Sequence, residues 1–284
     1  MSKKNKGILL IICSAFCFAL MNIFVRLSGD LPSIQKSFFR NFVALIFAFI
    51  VIRRNCISLK VERESWLPLF LRSAFGTIGI LCNFYAVDHL VVSDASMLNK
   101  LSPFFVIIFS FFILKEKVTP FQGVCVVFAF IGSLFVIKPG FNMSVLPAII
   151  GACGGLGAGI AYTFVRLLGN RGVKGPIIVF CFSTFSCLVT LPYMLFHYTP
   201  MTMQQILFLL GAGLAASGGQ FSITAAYTFA PGREISIYDY SQIIFATLLS
   251  FFILGQVPDV YSFIGYAIII GTSIVMFLHN QKTE

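Results

Sequence analysis

The sequence predicts an all-α integral membrane protein with ten transmembrane helices, arranged as two inverted five-helix repeats. Composition, an internal repeat and the number of apolar stretches lead to this prediction. Hydrophobic residues make up 58% of the chain and charged residues only 11%, whereas a soluble domain carries about 25% charged residues. With a mean hydropathy of +0.94, the surface itself must be largely apolar, so the surrounding medium is a lipid bilayer.

Two sequence phrases recur at the same distance along the chain. The segment 110–114, Ser-Phe-Phe-Ile-Leu, returns letter for letter at 250–254, which is 140 positions later. The segment 24–27, Phe-Val-Arg-Leu, returns at 164–167 with the same offset. Two matches at one offset indicate a duplication. Because the first apolar stretch matches an internal one, we interpret it as a retained helix rather than a cleaved signal.

Ten apolar stretches have the length of about 20 residues that a membrane-spanning helix needs. Helices are expected because lipid offers no hydrogen-bond partner to a free backbone group. Five spans in each half is an odd number, so the second half is inverted relative to the first. The repeats are predicted at 7–138 and 144–279. The spans, numbered 1 to 10, are predicted at about 7–28, 33–53, 66–88, 93–114, 118–138, 144–167, 175–196, 204–228, 235–255 and 260–279.

Basic residues are distributed unequally between the two sets of loops. The segment 53–64, between spans 2 and 3, holds four of them, and the N-terminus and the other even-numbered loops are also basic. The odd-numbered loops hold little beyond Lys36 and Lys138. The positive-inside rule then places both termini in the cytoplasm and the protein in the cell membrane. The net charge of +10 is explained by this orientation, and no nucleic-acid partner is expected.

Two segments resemble the EamA-type family of the drug/metabolite transporter superfamily. They are 95–103, Ala-Ser-Met-Leu-Asn-Lys-Leu-Ser-Pro, and 111–116, Phe-Phe-Ile-Leu-Lys-Glu. The second half departs from this pattern, since Gln256 stands at the position of Glu116 and the Ser-Pro step is replaced by Gln242-Ile243. The resemblance covers residues 7–279. It implies a ten-helix carrier whose central cavity is lined by spans 4 and 9.

Charged residues inside the predicted spans are the first candidates for a functional site, since a charge at the bilayer centre costs roughly 2.5–3.5 kcal/mol. Arg40 in span 2 fits a fixed cation for a substrate carboxylate or phosphate, or an arginine that snorkels to the outer interface. Lys100 in span 4, beside Asn99 and before Pro103, is predicted to face the cavity. Arg72, near the start of span 3, is expected to anchor the chain at the interface.

Asp239 in span 9 is the acidic candidate. The repeat offset places Asp239 opposite Asn99 and Tyr240 opposite Lys100. Since the resemblance implies that spans 4 and 9 line one cavity, Lys100 and Asp239 are predicted to pair across the pseudo-two-fold axis. Asp239 then serves either as counter-ion to Lys100 or as a protonatable group for proton coupling.

Uncharged polar residues on several spans complete the predicted substrate-binding set. For each of them, a hydrogen bond to a neighbouring helix is the alternative interpretation. These residues are Asn22 and its repeat mate Tyr162, with Tyr85, Gln220 and Gln242. Small residues four positions apart predict helix contact faces. They are Gly151, Gly155 and Gly159 on span 6, and Gly211, Ala215 and Gly219 on span 8.

These features favour a secondary transporter that moves a small polar metabolite by alternating access. Arg40 and Lys100 against Asp239 alone would make the site positive, which favours an amino acid or an organic anion. The sequence has no phosphate-binding GxxxxGK[ST] loop and no HExxH or Ser/His/Asp set. We therefore expect no catalytic residues, metal or cofactor. A flippase for a lipid-linked group and a membrane-embedded enzyme remain as alternatives. The expected partners are the bilayer and a small-molecule substrate, with a proton as a candidate coupling ion, in a monomer or homodimer.

Overall fold

The computed structural model describes residues 3–115, 119–137, 145–229 and 236–282, which are helical apart from short connections. In these residues, nine helical segments are long and apolar enough to cross a membrane, and Tyr238–Leu254 is a shorter apolar helix. The prediction of ten helical spans is confirmed. Glu116, which carries part of the family resemblance, lies outside the described residues.

The observed bounds agree closely with the predicted spans. Spans 1 to 3 are Lys3–Leu27, Ser33–Arg54 and Trp66–His89, the last preceded by the short 3-10 turn Arg63–Ser65. Span 4 combines Val92–Asn99, Ser102–Phe109 and the π-helical turn Ser110–Leu114, and span 5 is Pro120–Ile137. Spans 6 to 8 are Val145–Asn170, Gly175–Phe196 and Met203–Phe229. Span 9 combines the 3-10 turn Ser236–Tyr240 with Ser241–Leu254, and span 10 is Val260–Lys282.

Spans 4 and 9 are both interrupted, and at the same position of the repeat. Span 4 breaks at Lys100 and Leu101, because the ring of Pro103 cannot follow the α-helical path past the carbonyl group of Asn99. Span 9 changes from a 3-10 turn to an α-helix after Tyr240, which is the repeat mate of Lys100. An interruption in each half frees backbone groups at the point where the two halves meet.

The helix packing has the symmetry of an inverted repeat. Span 1 packs on spans 8 and 9. Its repeat mate, span 6, packs on spans 3 and 4, which are the repeat mates of spans 8 and 9. Spans 2 and 7 are mates that run antiparallel, since Gln35 at the start of one bonds Thr199 just beyond the end of the other. In spans 5 and 10, Phe121 near the start of one stacks on His279 near the end of the other. Antiparallel mates require that the two halves have opposite orientations.

Glycines bring the helix backbones close together where the two repeats interlock. A Cβ atom on Gly157 of span 6 would lie 2.9 Å from the carbonyl oxygen of Phe75 and 3.0 Å from Cα of Gly79 on span 3. On the predicted face of the same span, a Cβ on Gly155 would lie 2.6 Å from the carbonyl oxygen of Leu98. Gly211 of span 8 packs against Phe24 of span 1. The predicted contact faces are thus confirmed at Gly155 and Gly211.

The two phenylalanines of the repeated phrase Ser-Phe-Phe-Ile-Leu are exposed in both halves, whereas its serine is buried. Phe111 and Phe112 are 51% and 67% exposed, and Phe251 and Phe252 are 52% and 78% exposed. Each pair of rings packs edge to face with centroids 5.2 Å apart. These aromatic residues therefore belong to the outer surface of the bundle.

Gly157→Ala should destabilise the protein, whereas Gly271→Ala should not. The added methyl group at Gly157 collides with backbone atoms of span 3, and overpacking of this kind costs about 1–3 kcal/mol. At Gly271, on span 10, a Cβ atom meets nothing within 4 Å, so alanine brings only its higher helix propensity. Thermal unfolding of both variants in the same detergent checks this. Equal unfolding midpoints for the Gly157→Ala and Gly271→Ala variants would contradict the close contact between spans 3 and 6.

Candidate substrate-binding site

An ion pair joins the two interrupted spans. Lys100 Nζ forms a salt bridge with Asp239 Oδ2, and the two side chains are only 8% and 15% exposed. The hydroxyl group of Tyr240 donates a hydrogen bond of 3.3 Å to the backbone carbonyl of Lys100. Since Lys100 thereby touches its own repeat mate, this contact lies at the pseudo-two-fold axis. The predicted pairing of Lys100 with Asp239 across that axis is confirmed.

Two buried arginines share one aromatic ring. Arg40 is 5% exposed and Arg72 is 4% exposed. Their guanidinium carbons lie 5.8 Å and 3.9 Å from the centroid of the Phe182 ring on span 7. Neither forms a salt bridge with a carboxylate of the described residues. Nε of Arg40 and Nε and Nη1 of Arg72 are buried without a hydrogen-bond partner in that part of the chain. The cluster therefore holds positive charge that the described carboxylates do not neutralise by direct contact.

Neighbouring residues hold each guanidinium in place. Nη1 of Arg40 donates to Oδ1 of Asn41 at 2.5 Å, and Nδ2 of Asn41 donates to Oγ of Ser186 on span 7 at 2.8 Å. Gly76 makes room for the other arginine, because a Cβ there would lie 2.6 Å from Nη1 of Arg72. The expectation that Arg72 anchors the chain at the interface is wrong, and Arg40 points into the bundle rather than snorkelling outward. A glycine one helical turn after Arg72 is the sequence signal that could have indicated this.

Arg40 also lines a cavity between the two repeats. The cavity has an empty volume of about 240 Å³, which includes space open to solvent. Span 2 of the first repeat forms one wall, and spans 7 and 8 of the second form the other. Beside Arg40, the polar lining consists of Ser183, Ser217 and Gln220, and the apolar lining of Ala44, Val179, Phe182 and Phe221.

Tyr162 lies on span 6, which packs against spans 3 and 4. Its side chain is 37% exposed. Arg40 and Gln220 are the predicted site residues that line the cavity. Arg72, which lies over the ring of the cavity residue Phe182, is a residue that the sequence prediction missed.

The other predicted residues take different positions. Asn22 donates to Oγ of Ser96 at 3.1 Å and ties span 1 to span 4, which is the alternative role that the sequence left open. Tyr85 stacks on His89 near the end of span 3, with centroids 4.1 Å apart. Asn99 ends the first helix of span 4. Gln242 is buried in span 9.

Two further buried polar contacts involve carboxylates that the sequence analysis did not select. Lys36, which was counted as a loop residue, is completely buried, and its Nζ lies 2.5 Å from Oδ1 of Asp88. The hydroxyl of Tyr266 donates to Oδ1 of Asp94 at 2.5 Å. Asp94 falls inside the predicted span 4, so its charge in an apolar stretch was an available signal.

Two inverted five-helix repeats with a cavity at their interface are the architecture of a multi-pass membrane transporter. The EamA-like transporter family model matches residues 5–138 and 147–278. The chain belongs to this family. A solved crystal structure covers 99% of both chains with a TM-score of 0.70 and 16% identity, which shows a shared fold.

Several curated proteins are similar over nearly the whole chain. The pseudopaline exporter CntI of Pseudomonas aeruginosa is 28% identical, over 96% of each chain. The riboflavin transporter of Brucella anthropi is 26% identical, over 96% of this chain and 98% of that protein. Human solute carrier family 35 member G1 is 24% identical, over 94% of this chain and 78% of that protein. These relatives are transporters, two of which are named for different substrates, and the chain is accordingly a transporter rather than an enzyme.

Lys100→Gln and Asp239→Asn should each lower the free energy of unfolding by about 3 kcal/mol. This is the lower end of the range for a broken buried pair, because both side chains keep some exposure. The double variant, which removes both charges together, should lose less than the two single losses added. A double-mutant cycle on unfolding in detergent measures the coupling. Additive losses would show that the pair contributes nothing as a pair.

Proposed function

We propose that this protein is a secondary transporter that moves a small polar metabolite bearing a negative group, an amino acid or an organic anion, by alternating access. The observation that carries the proposal is the buried cluster of Arg40 and Arg72, which lacks a carboxylate partner in the described chain. A planar guanidinium group presents paired donors that match a carboxylate. A ligand anion would supply both the charge and the acceptors that these donors require.

The arrangement also supports the mechanism. The cavity lies between the repeats that we place at 7–138 and 144–279, and rocking of one repeat against the other would expose it to each side in turn. Broken helices at the axis provide the change in backbone direction typical of transporters built from inverted repeats. Of the two roles predicted for Asp239, its contact with Lys100 supports the role of counter-ion. A proton as coupling ion, and assembly as a monomer or homodimer, stay predictions.

A ligand panel tests the substrate class. Amino acids, organic acids, nucleosides and quaternary amines are added to the purified protein, and thermal stabilisation is recorded. One anionic class should stabilise wild type. In titrations with that ligand, Arg40→Gln and Arg72→Gln should each weaken binding by about 1.5–3 kcal/mol, or roughly ten- to a hundredfold in Kd, which is the range for a charged hydrogen bond.

The matched control is Arg53→Gln, which makes the same charge change at an exposed position near the end of span 2, and its Kd should not change. Stabilisation by cations alone, or ligand shifts that survive both arginine substitutions, would contradict the proposal. Stabilisation only by lipid-linked groups would favour the flippase alternative.

We further propose that the protein lies in the cell membrane with both termini in the cytoplasm. Cys56 is exposed in the basic loop between spans 2 and 3, which this orientation makes cytoplasmic. In a variant that keeps Cys56 and replaces the other cysteines by serine, an impermeant maleimide should label inverted vesicles and not intact cells. Labelling of Cys56 in intact cells would contradict this orientation and place the loop outside the cell.

A further inference from the structure

A basic surface forms where the connection between spans 2 and 3 meets the connection between spans 6 and 7. Nη1 of Arg171 donates a hydrogen bond of 2.6 Å to the backbone carbonyl of Glu64. Val61 and Val173, one from each connection, pack against a single apolar cluster that spans 3, 6 and 7 share. The first connection belongs to the first repeat and the second connection to the second repeat, so this surface joins the two repeats.

The ends of spans 2 and 7 reach the same surface. The rings of Phe49 and Phe180 on these spans have centroids 6.3 Å apart. Arg54 lies five residues after Phe49, and Lys174 lies six residues before Phe180. Because the two spans are antiparallel, both cations lie about 7–9 Å beyond the rings in the same direction, at the helical rise of ~1.5 Å per residue. Five exposed cations form what we call the basic patch, namely Arg54, Lys60, Arg63, Arg171 and Lys174.

The basic patch carries more positive charge than its neighbours neutralise. Segments 54–64 and 171–174 hold these five cations and two carboxylates, those of Glu62 and Glu64. Neither carboxylate forms a salt bridge with the basic patch among the described residues. The patch is therefore complementary to an anion, and the guanidinium groups of its three arginines match the oxygen atoms of a phosphate group.

An exposed apolar surface adjoins the basic patch. Trp66 and Phe70 lie one turn apart at the start of span 3 and are 59% and 54% exposed. The ring of Phe70 packs edge to face on Phe185 of span 7, with centroids 5.4 Å apart. Tryptophan is typical of the boundary between lipid chains and headgroups. This corner of the bundle thus offers cations for a headgroup and aromatic rings for an acyl chain.

We propose that this corner binds an anionic phospholipid. The phosphate group lies on the basic patch, held by cations of both connections, and an acyl chain lies along Trp66 and Phe70. Basic residues attract anionic lipid at any membrane surface, but here cations from two repeats converge beside exposed aromatic rings. None of these residues lines the cavity of Arg40, so the proposal does not depend on the substrate that the protein carries.

Trp66 is the single tryptophan of the chain and serves as the reporter. Bromine atoms on an acyl chain quench tryptophan fluorescence only at close contact. The full-length protein is reconstituted in phosphatidylcholine vesicles that contain increasing fractions of brominated phosphatidylglycerol or brominated phosphatidylcholine. Phosphatidylglycerol should bind beside Trp66 about fivefold more strongly, which is the effect of one basic residue at an anionic surface. The Trp66→Phe variant gives the background signal.

Variants of each connection test whether the basic patch causes this preference. Arg54→Gln/Arg63→Gln in the first repeat and Arg171→Gln/Lys174→Gln in the second should each remove most of it. Glu62→Gln removes a nearby negative charge and should increase the preference. Thermal unfolding checks that each variant is folded in the same vesicles.

The matched control removes two charges from the same face of the bundle but outside the basic patch. Lys6→Gln/Lys115→Gln does so at exposed positions near the start of span 1 and just after span 4, and it should keep the full preference for phosphatidylglycerol.

Each contrary outcome overturns the proposal. Equal quenching by the two brominated lipids would show that the corner does not select an anionic headgroup. A preference that survives in both variants of the basic patch, or that falls equally in the Lys6→Gln/Lys115→Gln control, would assign it to the net charge of the protein. A preference lost only in Arg54→Gln/Arg63→Gln would place the headgroup on the first repeat alone and contradict a site that joins the two repeats.

Discussion

The interior of this bundle is organised by the cost of placing charge and free backbone groups where water is scarce. Lys100 and Asp239 satisfy this constraint by pairing at the pseudo-two-fold axis. The same contact satisfies the backbone, because the break beside Pro103 leaves the carbonyl of Lys100 outside the regular helical pattern, where it accepts the hydroxyl of Tyr240. Two interrupted helices can therefore meet in the middle of the membrane protein without leaving the charges of this pair unmatched.

The arginine cluster does not follow the internal symmetry. The repeat mate of Arg40 is Phe180 and that of Arg72 is Ala212, so the second repeat has no equivalent cations. It contributes instead Phe182, which packs under both guanidinium groups, and the opposite wall of the cavity. The first repeat thus provides the positively charged side chains, and the second repeat provides the aromatic ring and the opposite wall of the cavity. A symmetric scaffold carries an asymmetric cluster of cations, because the helix packing kept the symmetry of the duplication while the residues at the interface diverged.

The architecture could be predicted from the sequence because a chain that crosses lipid must form apolar helices of about 20 residues. The span lengths follow from the apolar stretches, and the repeat follows from the 140-residue offset. The pairing of Lys100 with Asp239 follows from this offset together with the family resemblance, which implies that spans 4 and 9 line one cavity. The direction in which an individual side chain points cannot be predicted from these sequence patterns. Arg72 lies six residues after the start of its span, where a long side chain can reach either the interface or the interior. The space above Gly76 and the ring of Phe182 decide between these, and Phe182 lies more than a hundred positions away in the sequence.

The buried polar residues of the bundle fall into two groups, those with a partner in the protein and those without one among the described residues. Asn22 hydrogen-bonds Ser96, and Lys36 pairs with Asp88 in a fully buried position. These polar groups have protein partners, so a ligand would have to displace an existing contact to reach them. Arg40, Arg72 and the free oxygen of Asp239 have polar atoms that remain unsatisfied among the described residues. A ligand can shift the balance between two transporter conformations only through interactions that differ between them. Under the proposed function, the unsatisfied groups at the interface between the repeats are the ones expected to change their interactions when a ligand binds and the repeats move.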